Sequence, residues 1–219
     1  MTRQQSGFVP GQADSGHAAV RSVVCDVIAE AVRSAQAGGV VVLDDWTPEG
    51  ALACEWLAGV PGAPRVWRAG KLASNMHGED VDRSDAQLPA AWRCAREHSA
   101  FIAHPASKTV LLLGGPPPRA DLFPFGDVYA SQLEELTGSS GLPDDVAQLA
   151  RAAGGIGAVD AALARLVDSR MPAADALAPL DAAVAGELLR LYERGRHFRL
   201  RPRLIPKLSA RTLGIDLFD

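Results

Sequence analysis

Paired cysteines, a basic excess and long apolar runs are all missing from this sequence, and each absence narrows what the chain does. The three cysteines, Cys25, Cys54 and Cys94, stand far apart, without the close spacing of a zinc site or a disulfide framework. Reduced thiols in a cytoplasmic protein are therefore expected, with no metal site. Acidic residues outnumber basic ones by 26 to 22, a net charge of −4, which argues against a nucleic-acid partner. No stretch reaches the roughly 18 apolar residues of a membrane span, so no membrane partner is expected. The opening residues, "MTRQQSGFVPGQADSGH", carry no apolar signal-peptide core. Aromatic residues make up only 5% of the chain, and Trp46, Trp56, Trp67 and Trp92 are read as core or interface residues rather than a platform for stacked bases. Lysine is scarce as well, 3 against 19 arginines, a bias read as genomic rather than functional. What remains is 47% hydrophobic and 22% charged over 219 residues, enough for one well-cored globular domain.

Along the chain, residues 1–16 are polar and read as a disordered segment, followed by a single domain over 17–219. Apolar residues from Ala19 to Val32 recur at helical spacing, and Gly38-Gly39 ends that helix. "VVVL" (40–43) is a short β-branched run of the kind buried on both faces of a parallel sheet. A helix over about 49–58 and a strand at "RVWR" (65–68) follow. Residues 69–87 are polar and weakly patterned and read as a mobile loop, with His77 solvated. Next come a helix over about 88–99 and a third strand at "AFIAHP". "TVLLLG" (109–114) reads equally as strand or buried helix, and the proline-rich segment 114–127 reads only as loop. From about 128 to 219 the pattern is helical. Strands alternating with helices, then helices alone, predict an α/β fold: a Rossmann-like parallel sheet flanked by helices, with a helical C-terminal extension.

The turn after the first strand, "DDWTPEG", lacks the glycines that let a backbone close on phosphate. Asp44, Asp45, Trp46, Thr47, Pro48 and Glu49 stand there instead. Side chains at those positions hinder approach to a pyrophosphate. Like charges ~4 Å apart repel by ~4 kcal/mol at an effective dielectric of 20, so three carboxylates oppose a triphosphate. The same residues also suit a plain helix start, with Asp45 or Thr47 as N-cap before Pro48 and carboxylates near the helix N-terminus. His104, at a strand end, reads as a hydrogen-bonded loop histidine. The stretch 190–211 holds seven arginines and Lys207 against Glu193 alone. It serves either as a wall for a small anionic ligand or as a solvated helix end and tail.

Several motifs, taken in order, resemble those of the ammonia-dependent NAD synthetases, which have the ATP-pyrophosphatase (adenine-nucleotide α-hydrolase-like) fold. "FIAHPASKTVLLLG" is similar to that family's l-V-x-G-T-x-N-K-S-E-x-x-x-G, with Lys108 on the lysine and Ser107 on the asparagine. "ADLFPFGDVYASQLEEL" resembles D-x-x-P-[IL]-G-D-L-Y-K-T-Q-V-x-x-L, matching at Asp121, Pro124, Gly126, Asp127, Tyr129 and Gln132. In "GAVDAALARLVD", Asp160 falls on the aspartate of Y-E-x-x-D-x-I-L, and in "RHFRLRPRLIPKL" His197 and Arg199 match E-H-K-R-R-x-P-P. The resemblance covers residues 98–135 well and 156–208 loosely.

It implies adenylation of a carboxylate by ATP with Mg²⁺, attack by ammonia, and a homodimer. Lys108, Asp121, Asp127, Gln132, His197 and Arg199 then become the ligand-binding candidates. The departures point the other way. "DDWTPE" replaces the family's S-G-G-x-D-S phosphate loop, Val110 its "K-S-E" glutamate and Ala130 its "L-Y-K-T-Q" lysine, while "VAQLARAAGG" stands where P-S-A and D-E motifs belong. No catalytic residue is assigned and no cofactor is expected. The combined expectation is an NAD-synthetase-like protein that has lost ATP-dependent amide ligation and binds a ligand or partner. The alternative is an active amidoligase using ATP and Mg²⁺.

Overall fold

The side chains of Val40, Val41 and Val42 are completely buried, as a strand covered on both faces requires. In the computed structural model, which describes residues 13–59, 63–77, 83–114, 119–139, 141–196 and 204–208, they form β1 (Val40–Val42), the centre of a parallel sheet. On one side lies β2 (Val66–Arg68), with Val41 opposite Trp67; on the other lies β3 (Phe101–Ala103), with Val41 opposite Ile102. Two isolated parallel bridges, Ala103 to Leu122 and Leu122 to Leu204, carry the pairing outward from β3.

The two faces of β1 go to two helical layers, because successive side chains of a strand point to opposite sides. Val40 and Val42 pack with Val24 and Ile28 of α1 (Ala13–Ser34) and Ala53 and Leu57 of α2 (Pro48–Ala58). Val41, Leu43 and Ile102 pack with Ala69 of α3 (Ala69–His77) and Ala91 and Cys94 of α4 (Arg83–His98). The expected loop over 69–87 is therefore corrected: residues 69–77 and 83–87 are helical. Their buried apolar contacts are made by alanines, Ala73, Ala86 and Ala90, which leave only a faint hydrophobic period. Pro89, which on sequence grounds marks a helix start, lies inside α4. His77 falls at the end of α3, and its side chain lies outside those described.

"KTVLLL" is helix α5 (Lys108–Leu113), started by Ser107, whose Oγ accepts the Val110 N–H at 3.3 Å. It packs directly on α6 (Ala130–Thr137) and α10 (Ala182–Arg194), and shares a core with α7 (Asp144–Ala152), α8 (Ile156–Leu163) and α9 (Ala173–Leu177). Leu111 to Leu113, Leu163, Leu188 and Leu191 fill the second core there. A π-helical turn, Ala164–Asp168, continues α8. Residues 204–208 are not helical; Leu204 donates its N–H to the Asp121 carbonyl at 3.1 Å and returns the chain to the sheet. Of the segment 1–16, residues 1–12 lie outside the described residues and α1 begins at Ala13. Among the described residues no helix is long and apolar enough to cross a membrane.

Gly39, between α1 and β1, has φ +153°, and a Cβ there would stand 2.2 Å from the Arg65 carbonyl oxygen. Gly39→Ala is expected to cost at least ~1–3 kcal/mol from backbone strain alone, read as a lowered urea midpoint with an unchanged m-value.

Candidate functional site

The chain leaves β1 through α2 to reach β2 on one side, then crosses through α3 and α4 to β3 on the other. The carboxyl ends of β1 and β3 thus flank the point where strand order reverses, which is where open α/β sheets hold ligands. A pocket of about 70 Å³ lies there, lined by Asp44, Thr47 and Glu49 after β1, by His104 and Ser107 after β3, and by Val110, Leu133 and Leu142.

Each polar residue of "DDWTPE" has a partner within the protein. Asp44 sits in the left-handed region at φ +50°, which aspartate tolerates better than most residues. Its N–H donates to Gln87 Oε1 at 2.8 Å, and Gln87 Nε2 donates back to its Oδ1 at 2.5 Å. His104 Nε2 stands 3.1 Å from Asp44 Oδ2, while His104 Nδ1 accepts the Ala106 N–H at 3.1 Å. That pattern assigns the Nε2–H tautomer and occupies both ring nitrogens. Burial pushes the Asp44 carboxyl up, but the hydrogen bonds from His104 and Gln87 outweigh it and hold the group below its ordinary range. Asp45 Oδ1 accepts the Gly70 N–H at 2.6 Å, in the first turn of α3. Of the two candidate N-caps of α2, Thr47 fills the role: its Oγ1 accepts the Gly50 N–H at 3.0 Å, with Pro48 at the first helical position. Glu49 is 5% exposed, and its Oε1 accepts the Gly141 N–H at 2.6 Å. Trp46 is 40% exposed. Among the described residues no lysine or arginine lines the pocket, and the N–H groups of Asp44 and Thr47 are already taken up by Gln87 and the Asp44 carbonyl. The carboxylates of Asp44 and Glu49 give this pocket acidic lining.

Among the candidate residues, Lys108 and Asp127 come together. Lys108 is completely buried, not a solvated surface charge, because Nζ lies 2.9 Å from Asp127 Oδ1 and 2.7 Å from Asp168 Oδ1. The Tyr129 ring centroid is 5.0 Å from the ammonium, and Tyr129 donates its hydroxyl to Asp168 Oδ2 at 2.8 Å. Burial, with Asp168 alongside, pushes the Tyr129 phenol far above its ordinary value. Asp127 Oδ2 also accepts the Leu208 N–H at 2.7 Å. Beside this group, Asp160 accepts the Thr109 hydroxyl at 2.5 Å and the Ser131 N–H at 2.7 Å, and burial raises its carboxyl above the usual range.

The remaining candidates are dispersed. Gln132 Oε1 accepts the Tyr129 N–H at 3.0 Å at the start of α6. Asp121 Oδ2 accepts the Ile102 N–H at 2.9 Å beside β3. His197 and Arg199 lie outside the described residues. Of the arginine-rich stretch, Arg190 pairs with Glu187 at 2.6 Å. Arg194 pairs with Asp145 and donates to the Leu113 carbonyl at 3.3 Å.

Sequence reasoning missed Asp168, Gln87 and Gly141. Asp168 had a signal. It stands eight residues beyond Asp160, and residues seven apart share a helix face; the π turn takes up one additional residue and brings Asp168 round.

The sequence matches no protein-family model and no curated protein. Among solved structures, the NH3-dependent NAD synthetase from Campylobacter jejuni, determined in complex with the nitrate ion, is similar over 85% of this chain and 97% of its own. The TM-score is 0.52 and the identity 14%. The glutamine-dependent NAD+ synthetase from Acinetobacter baumannii, in complex with ADP, covers 97% of this chain but 50% of its own, at TM-score 0.37 and 14% identity, too loose to bear on the fold. The chain therefore has an NAD-synthetase-like fold, in agreement with the order of motifs along the sequence. The likeness is one of fold.

Lys108→Met would leave Asp127 and Asp168 buried without their cation. A loss of about 3–5 kcal/mol is expected, measured by urea unfolding. A loss below about 1 kcal/mol, the range of an exposed ion pair, would show that Lys108 does not hold the fold together.

Proposed function

We propose that this protein keeps an NAD-synthetase-like scaffold, has lost ATP-dependent amide ligation, and acts by binding a ligand or partner. The observation that carries the reading is the turn after β1. Ligation needs that turn to receive phosphate, with positive charge and free N–H groups to hold it. Here Asp44, Asp45, Thr47 and Glu49 each bond within the protein, to His104 and Gln87, Gly70, Gly50 and Gly141 respectively. Lys108 supports the same reading, because its ammonium already lies between two carboxylates.

A cytoplasmic homodimer accompanies this proposal. Cys25, Cys54 and Cys94 are all buried free thiols, as a reducing compartment favours. Trp46 and Trp92, 40% and 48% exposed, offer aromatic area of the kind enriched in interfaces. Sedimentation equilibrium is expected to give twice the chain mass; a monomer at micromolar concentration would refute the dimer.

The direct test of lost ligation is titration calorimetry with ATP–Mg²⁺, together with a pyrophosphate-release assay over a panel of carboxylates and ammonia. Neither heat of binding nor pyrophosphate is expected. Micromolar ATP affinity with pyrophosphate release would overturn the reading.

A further inference from the structure

The turn that leaves β3, residues 104–107, is held at its first residue by an imidazole. His104 donates its own N–H to the Leu122 carbonyl at 3.0 Å. Its Nδ1 accepts the N–H of Ala106, two residues on, at 3.1 Å, and its Nε2 lies 3.1 Å from Asp44 Oδ2. One ring nitrogen accepts while the other donates, which only a neutral imidazole does. Ala106 is buried, so an N–H that loses its partner there is costly. The turn runs directly into Ser107, the cap of α5, and the buried Lys108.

The charges around this ring are of one sign. Asp44, after β1, and Glu49, at the start of α2, line the same pocket as His104. From α4 the neutral amide of Gln87 holds Asp44, and the uncharged ring of Phe123 lies 6.1 Å from the imidazole, centroid to centroid. On α5 the ammonium of Lys108 is directed to Asp127 and Asp168. Burial pushes the Asp44 carboxyl up, but the hydrogen bonds from His104 and Gln87 outweigh it, so Asp44 stays ionised as the pH falls. A proton added to His104 acts oppositely at its two nitrogens. The contact of Nε2 with Asp44 becomes an ion pair, whereas Nδ1 becomes a donor facing the Ala106 donor and can no longer hold it. We propose that His104 is a proton-operated latch on this turn: neutral, it holds the Ala106 N–H and keeps residues 104–107 closed; protonated, it stays on Asp44 and releases Ala106, freeing the turn ahead of α5. The latch opens as the pH falls and closes as it rises. It does not depend on what the site binds, and so stands apart from the loss of ligation.

The test is an NMR titration of the isotope-labelled full-length protein from about pH 8 to about pH 5, the span over which histidines change charge. The His104 ring nitrogens and the Ala106 amide are the readouts. At about pH 8 the ring is expected in its Nε2–H form, with Ala106 protected from hydrogen exchange. On acidification, ring protonation and the loss of Ala106 protection should share one midpoint. The protection factor of Ala106 should fall at least about tenfold. That of Lys108, whose N–H is held by the Val128 carbonyl at 2.7 Å, should not change. His104→Asn keeps an acceptor for an N–H two residues on but takes up no proton in this range, so Ala106 should stay protected throughout. Four results would each overturn the proposal: a ring in its Nδ1–H form at about pH 8, a ring still neutral at about pH 5, ring protonation without loss at Ala106, or the same loss in folded His104→Asn. The last would assign the response to Asp44 or Glu49. If His104→Asn does not fold, the titration of the unmodified protein decides the matter alone.

Discussion

The ammonium of Lys108, enclosed by Asp127, Asp168 and the Tyr129 ring, is the contact on which the arrangement of the two cores depends. One side chain joins the first residue of α5, the "PFGD" loop and the π turn after α8. Through Asp127 it also reaches the backbone of Leu208. A cation so placed is not a stabiliser in the way a buried leucine is, because desolvating the ions consumes most of what their attraction returns. What it provides is specificity. With Lys108 fixed between two carboxylates, α5 cannot slide along its apolar neighbours without stranding a charge.

The same economy governs the turn after β1. Four polar side chains that could have been exposed to solvent are used to hold other elements. Asp45 receives an N–H from the first turn of α3, and Gln87 of α4 is gripped by Asp44 on both its amide atoms. Glu49 fixes the loop at Gly141 ahead of α7. The acidic turn thus serves as a joint between separate elements of the fold. In a phosphate-binding turn the N–H groups point outward to the ligand; here they and the carboxylates are turned on the protein's own helices.

The strands were legible in the sequence because short β-branched runs bounded by glycine and proline have few other solutions, and β1 to β3 fall inside "VVVL", "RVWR" and "AFIAHP". The α3–α4 hairpin was not, because its contacts are made by alanines, whose burial leaves almost no periodic contrast with a polar loop. "TVLLLG" was ambiguous from its own residues and was settled by Ser107, an N-cap whose neighbour Lys108 is drawn inside. At the site, matching motifs picked out Lys108 and Asp127, but not that each would neutralise the other. That depends on Asp168, whose position required a π turn that no local pattern announces. Asp44 and Glu49 were visible as charges; their partners Gln87 and Gly141 lie 43 and 92 residues away, beyond the reach of any spacing argument.

The parallel bridge between Leu122 and Leu204, together with the 81-residue span from Asp127 to Leu208, bears on how the chain reaches its native state. Contacts so distant along the chain must wait for the intervening helices, and loop closure of that length slows folding. During synthesis the sheet and most of the helical core emerge before Leu204 does. In the native fold Leu204 covers the backbone edge at Leu122, the kind of edge on which strands from other molecules assemble when it is open. The segment 204–208 is thus a seal drawn from late in the described chain over the outer edge of the sheet.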